Sequence, residues 1–66
     1  MNNIEARFKD AYDTNTLTGE LEHEFSKHLK KQFGDDGFSW VQHICDIIGD
    51  EADDYANELV NNYLSY

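Results

Sequence analysis

Sixty-six residues with fourteen acids, five bases and a single cysteine make one domain near the lower size limit for a self-supporting core, carrying a formal charge of -9. One cysteine excludes an internal disulfide and no His/Cys spacing resembles a zinc site, so the core must come from the apolar 39% of the chain, in which aromatics are prominent, or from a second copy. The apolar cluster around Ile44 to Ile48 is far shorter than the ~20 residues of a membrane span.

Asn2 through Asp13 reads as a short amphipathic helix. Asn2 is placed to cap it, Glu5 stands three residues on as in a capping box, and Ile4, Phe8, Ala11 and Tyr12 form one face. The polar run from Asp13 to Thr16 breaks the pattern, because short polar side chains compete for backbone hydrogen bonds. Thr18 is an N-cap for a second helix running to about Phe33, with Leu21, Phe25, Leu29 and Phe33 on its core side. Glu20, Glu22 and Glu24 crowd its start and Lys27, Lys30 and Lys31 its end, the order that suits the helix macrodipole. Glu24 also lies three residues before Lys27. Gly34 is placed to end the helix with a left-handed residue.

After Asp35-Asp36-Gly37, a third helix begins near Phe38 and Ser39, capped by Ser39 or by Asp36. Val41, Ile44, Cys45 and Ile48 give it an apolar stripe flanked by Trp40 and Ile47, and it is expected to be the centre of the core. Gly49 ends it. Asp50 is placed to cap a last helix, Glu51 to about Leu64, whose stripe is Ala52, Ala56, Leu59 and Tyr63, widened by Tyr55, Val60 and Leu64. With no proline and no strand-like alternation, the prediction is an all-α protein: a compact bundle of three to four short helices forming a single helical domain over residues 1–66.

The charge is unevenly spread. From Gln32 to Tyr66 there are eight carboxylates, Asp35, Asp36, Asp46, Asp50, Glu51, Asp53, Asp54 and Glu58, and no base, whereas the first half sets six acids against five bases. On the last helix Asp50, Asp54 and Glu58 stand four apart, which predicts a stack at about 6 Å intervals on one face. Glu51 lies beside them, Asp53 extends the surface round the helix start, and Asp46, Asp35 and Asp36 are placed to join from the neighbouring helix and loop. Phosphates along one strand of a duplex have comparable spacing, so the geometry permits phosphate mimicry. A row of acids at helical spacing also serves as a plain solvated face, and the acids at the helix start suit its positive end. Against that plain reading stand Asp46, Glu58, the missing lysines and the cost of like charges at i, i+4. Tyr55, Tyr63 and Tyr66, on or near this helix, are of the residue type most often found anchoring interfaces; Tyr63 serves equally well as core packing.

Other chemistry finds little footing. Glu20 and His23 stand at i, i+3 in the manner of a di-metal bundle, but the motif occurs once where two copies and two further glutamates are needed. His23, His28 and His43 therefore read as surface or boundary residues, and no metal is expected. His43 points away from Cys45 on the same helix and cannot activate its thiol, and Cys45 reads as a small hydrophobe. The Asp35 and Asp50 segments lack the alternating oxygen ligands of a calcium loop. Neither catalysis nor a cofactor is expected. The start Met1-Asn2-Asn3-Ile4-Glu5 lacks the basic-then-apolar order of a signal peptide, which with the unpaired cysteine predicts a cytoplasmic protein.

The acidity disfavours membranes and nucleic acid as direct ligands and favours a basic protein, one that handles nucleic acid or is itself a nuclease. In size, charge and its acidic segment from Asp35 to Glu58, the chain resembles the small acidic proteins with which bacteriophages and other mobile elements disable host nucleic-acid machinery, anti-CRISPR and anti-restriction proteins among them. That resemblance implies a cytoplasmic inhibitor, acting in the host cell by occupying a nucleic-acid-binding surface, with Asp46, Asp50, Glu51, Asp54 and Glu58 as contacts. Lys27, Lys30 and Lys31 depart from the type. A second expectation is a non-catalytic adaptor, including an obligate homodimer, that binds through exposed aromatics such as Trp40 or Tyr66 and uses its charge for solubility.

Overall fold

A computed structural model describes residues 3–64, and within them the chain forms four α-helices and one 3₁₀ turn. The order is α1 (Ile4–Asp13), α2 (Gly19–Phe33), α3 (Gly37–Ile48), the 3₁₀ turn Asp50–Ala52 and α4 (Asp53–Tyr63). No strand occurs among the described residues, so the all-α bundle read from the sequence is the fold.

Local chemistry places each boundary. The α1 cap is Asn3, whose side chain accepts from the Ala6 N–H at 3.1 Å. The expected cap, Asn2, lies outside the described residues; with Asn3 in that role, Glu5 falls one place short of the capping-box position and its carboxylate is free for other contacts. At the far end Asn15 takes a positive φ of 59°, which a short polar side chain tolerates, and the Thr16 N–H closes back on Ala11 O at 2.8 Å. Thr18 caps α2 through the Leu21 N–H, as expected, and Gly34 ends it at φ 64°. Between the two candidate caps of α3, the structure selects Asp36, which accepts from both the backbone N–H and the hydroxyl of Ser39.

The last helix departs from expectation at its start. Asp50 makes no side-chain cap hydrogen bond; the chain leaves Gly49 at φ 107°, winds one 3₁₀ turn, and only then becomes α-helical at Asp53. A 3₁₀ turn advances about 120° per residue instead of the α-helix's 100°, so Asp50 is rotated out of line with Asp54.

The core is formed by Phe8, Phe25, Leu29, Trp40, Ile44, Ala56, Leu59, Val60 and Leu64. Phe8 and Phe25 stack with centroids 4.0 Å apart, tying α1 to α2. The α3 stripe is centred on Trp40 and Ile44, both fully buried, instead of on Val41 and Cys45, which are half-exposed at its edge. Trp40 seats its ring in the core while Nε1–H donates to Gly34 O at 3.1 Å, satisfying the one polar atom that burial would otherwise leave unpaired. Trp40 is therefore unavailable as the exposed binding aromatic that the adaptor reading required. Each fully buried large side chain contributes about 1.5–3 kcal/mol, which is how so short a chain closes a core without a staple.

Candidate binding surface

Along the outer edge of α3 runs a shallow groove of about 430 Å³, floored by Phe38, Val41, Gln42 and Cys45 and walled at one end by Asp46, Asp50 and Asp53. The helical period explains the floor, since Phe38, Val41, Gln42 and Cys45 recur at i, i+3, i+4 and i+7. Gly49 and the 3₁₀ turn explain the wall. They fold the chain back so that Asp50 and Asp53 meet Asp46 across the junction of α3 and α4. At the other end Phe38 is 72% exposed, the large apolar side chain that stands out among the described residues.

The predicted acidic residues divide into three groups. Asp46 and Asp50 line one groove, joined there by Asp53, which the sequence placed round the helix start. Asp54 and Glu58 are exposed on the outer face of α4, one helical turn from each other, with Glu51 exposed on the preceding turn. The expected three-member stack of Asp50, Asp54 and Glu58 is broken, because the 3₁₀ turn rotates Asp50 toward α3. Asp35 and Asp36 lie at the opposite end of α3, about 15 Å from Asp46 along the axis at 1.5 Å per residue. Asp36 is held by Ser39, whose hydroxyl above all, with its N–H, keeps the carboxyl below the usual carboxylate range.

Tyr55 turns inward. Its ring packs on Tyr12 at 5.6 Å and Phe8 at 6.3 Å, and its hydroxyl donates to Glu22 Oε2. Burial first, then that carboxylate, pushes the phenol far above its ordinary range. Tyr63 is half-buried beside His23, and Tyr66 lies outside the described residues.

Among the described residues, none of the C-terminal acids forms an ion pair. The ion pairs join Arg7 to Glu24, Lys9 to Asp13, and His28 and His43 to Glu5. Glu24 thus pairs with α1 and not with Lys27. The lysines that could have neutralised the acidic edge gather elsewhere: Lys27, Lys30 and Lys31 rim a hollow of about 660 Å³ with Ile4, Glu24 and His28. The two openings share no residue.

Sequence reasoning missed a partly exposed polar cluster that ties three helices together. Glu5 Oε2 accepts from His43 Nε2 at 2.5 Å and from His28 Nε2 at 3.2 Å, so one carboxylate from α1 joins α2 and α3. The His43 hydrogen bond, opposed by partial burial and assisted by His28, holds the Glu5 carboxyl below the usual glutamate range. Separations of 23 and 38 residues leave no local trace of this contact. The only hint was a glutamate near a helix start beside an asparagine already able to cap.

Cys45 is a poor nucleophile here. Burial raises its thiol pKa first, and Asp53, Asp50 and Asp46 raise it further, so the thiolate is disfavoured. The described residues contain no group of three or more His, Cys, Asp or Glu side chains placed to hold a metal ion, and no helix long and apolar enough to cross a membrane. The surface thus sets an apolar strip beside acids that form no ion pair among the described residues. No protein-family model matches the chain, and no curated protein or solved structure matches it either.

Proposed function

We propose that this chain is a small acidic binding protein that inhibits a basic, nucleic-acid-handling protein by occupying its nucleic-acid-binding surface, in the manner of anti-CRISPR and anti-restriction proteins. The observation that carries the reading is the convergence of Asp46, Asp50 and Asp53 at the end of an exposed apolar strip, none of them in an ion pair among the described residues. Asp54, Glu58 and Glu51 extend the negative surface over α4. A surface built only for solubility intersperses both signs, whereas here the bases are segregated to the α1 and α2 side. Such an edge gives fast, salt-sensitive capture of a basic groove and competes with nucleic acid for it.

Exposure of Phe38 favours a second reading, an adaptor whose binding is chiefly apolar. Salt separates the two. The inhibitor reading expects affinity for the partner to fall steeply between low salt and about 0.15 M and above, and expects Asp46→Lys with Asp50→Lys, or Asp54→Lys with Glu58→Lys, to abolish capture. The adaptor reading expects a flat salt response and the larger loss from Phe38→Ser.

A further inference from the structure

We propose that the lysine-rimmed hollow is a docking site for a second copy of this chain, which enters it with its Phe38 edge. The two openings complement each other in both respects that matter at an interface. One presents an exposed phenyl ring with Asp46, Asp50 and Asp53 beyond it. The other is lined by Ile4, half-buried, and by Lys27, Lys30 and Lys31, whose long stems are apolar and whose three charges outnumber the one carboxylate there, Glu24, with His28 beside them. An apolar centre faces an apolar centre, and an anionic rim faces a cationic one.

Among the described residues the fold gives the three lysines no counterion, and Glu24, the acid within reach on their own helix, is taken by Arg7. Free nucleic acid is a poor occupant, because the molecule as a whole carries -9 and repels a polyanion at long range. A second copy carries the same net charge, but its anionic groups are concentrated on the edge that docks. At about 0.15 M salt the Debye length is about 8 Å, so repulsion between the two molecules as wholes is largely screened while contacts across the interface are screened much less. Association therefore peaks at intermediate salt. It weakens at low salt, where net repulsion dominates, and again at high salt, where the contacts themselves are screened. Because the docked edge is also the edge assigned to the basic partner, a copy whose edge is docked cannot capture that partner with it, whereas the copy that receives it keeps its own edge free.

Sedimentation velocity on the full chain tests this directly, across protein concentration and from about 0.01 M to 1 M salt. The expected result is a concentration-dependent rise above the monomer mass of 7.7 kDa, greatest at intermediate salt. Lys27→Glu with Lys30→Glu, and separately Asp46→Lys with Asp50→Lys, should each weaken association at least about tenfold, and an equimolar mixture of the two variants should restore it. All four positions are exposed, and circular dichroism verifies that the variants fold. A monomer at every salt and concentration overturns the proposal, as does association that survives either reversal or a mixture that stays monomeric. The lysine reversals leave the acidic edge intact, so a failure here does not alter partner capture, and a failure of partner capture does not alter this result.

Discussion

Glu5 and His43, thirty-eight positions apart, meet at 2.5 Å, and through that contact α1 is fastened to α3. Because the folded protein holds the Glu5 carboxyl below its ordinary value, the contact stabilises fully above the unfolded glutamate pKa of about 4.3 and is lost as pH falls through the folded value. Glu5→Ala should lower unfolding free energy at neutral pH by about 1 kcal/mol, kept modest by the side chain's 36% exposure. It should also flatten the acid limb of the stability curve. Urea denaturation at neutral pH and at pH below the glutamate range checks both; an unchanged acid limb would mean the carboxylate is not ionised on its histidines.

Ser26 is the buried polar residue of α2, and its hydroxyl has no hydrogen-bond partner in the described structure. An unpaired buried hydroxyl costs about 1–3 kcal/mol, and alanine also favours the helix. Ser26→Ala should raise the melting temperature, by about 4–8 °C if it recovers 1 kcal/mol in a domain of this size. Thermal denaturation by circular dichroism decides it, and a fall in melting temperature would show that the hydroxyl is satisfied.

Trp40 and Phe38, two residues apart, should answer substitution in opposite ways. Trp40→Ala empties a fully buried site and costs about 3–5 kcal/mol, enough to unfold much of so small a domain. Phe38→Ser removes exposed surface and should change stability by no more than about 0.5 kcal/mol. Equal losses for the two would place Phe38 in the core.

The convergence of Asp46, Asp50 and Asp53 can be read from the chemistry of Cys45. Their negative charge adds to burial in disfavouring the thiolate, so Asp50→Asn with Asp53→Asn should lower the thiol pKa and quicken alkylation at fixed pH by about two- to threefold, an effect that salt diminishes. Measured rates that do not respond to either change would mean that the acids stand farther from the groove.

Periodicity carried most of the fold. Phe8, Phe25, Leu29, Ala56 and Leu59 were legible because each sits in a stripe with spacing of three or four, and Thr18, Gly34 and Gly49 were legible because caps and stops are local chemistry. Two things were not. The turn of 3₁₀ helix at Asp50 depends on how Gly49 leads α4 back against α3, and one such turn was enough to move Asp50 from one acidic group to another. The Glu5 contacts with His28 and His43 are tertiary throughout and follow from packing that no window of residues encodes. The segregation of charge by sequence half carried over into space for Asp46, Asp50 and Asp53, but not for Asp35 and Asp36, because α3 is long enough to hold its two ends apart.

Under the proposed function, the acidic edge stands in for nucleic acid on a basic partner. The most direct measurement immobilises the chain, captures its partner from host lysate, and challenges the complex with duplex DNA or RNA, alongside the Asp46→Lys, Asp50→Lys variant. The expected result is a partner that nucleic acid displaces, that salt releases, and that the variant fails to retain. A partner held equally well by the variant and indifferent to competing nucleic acid would contradict it.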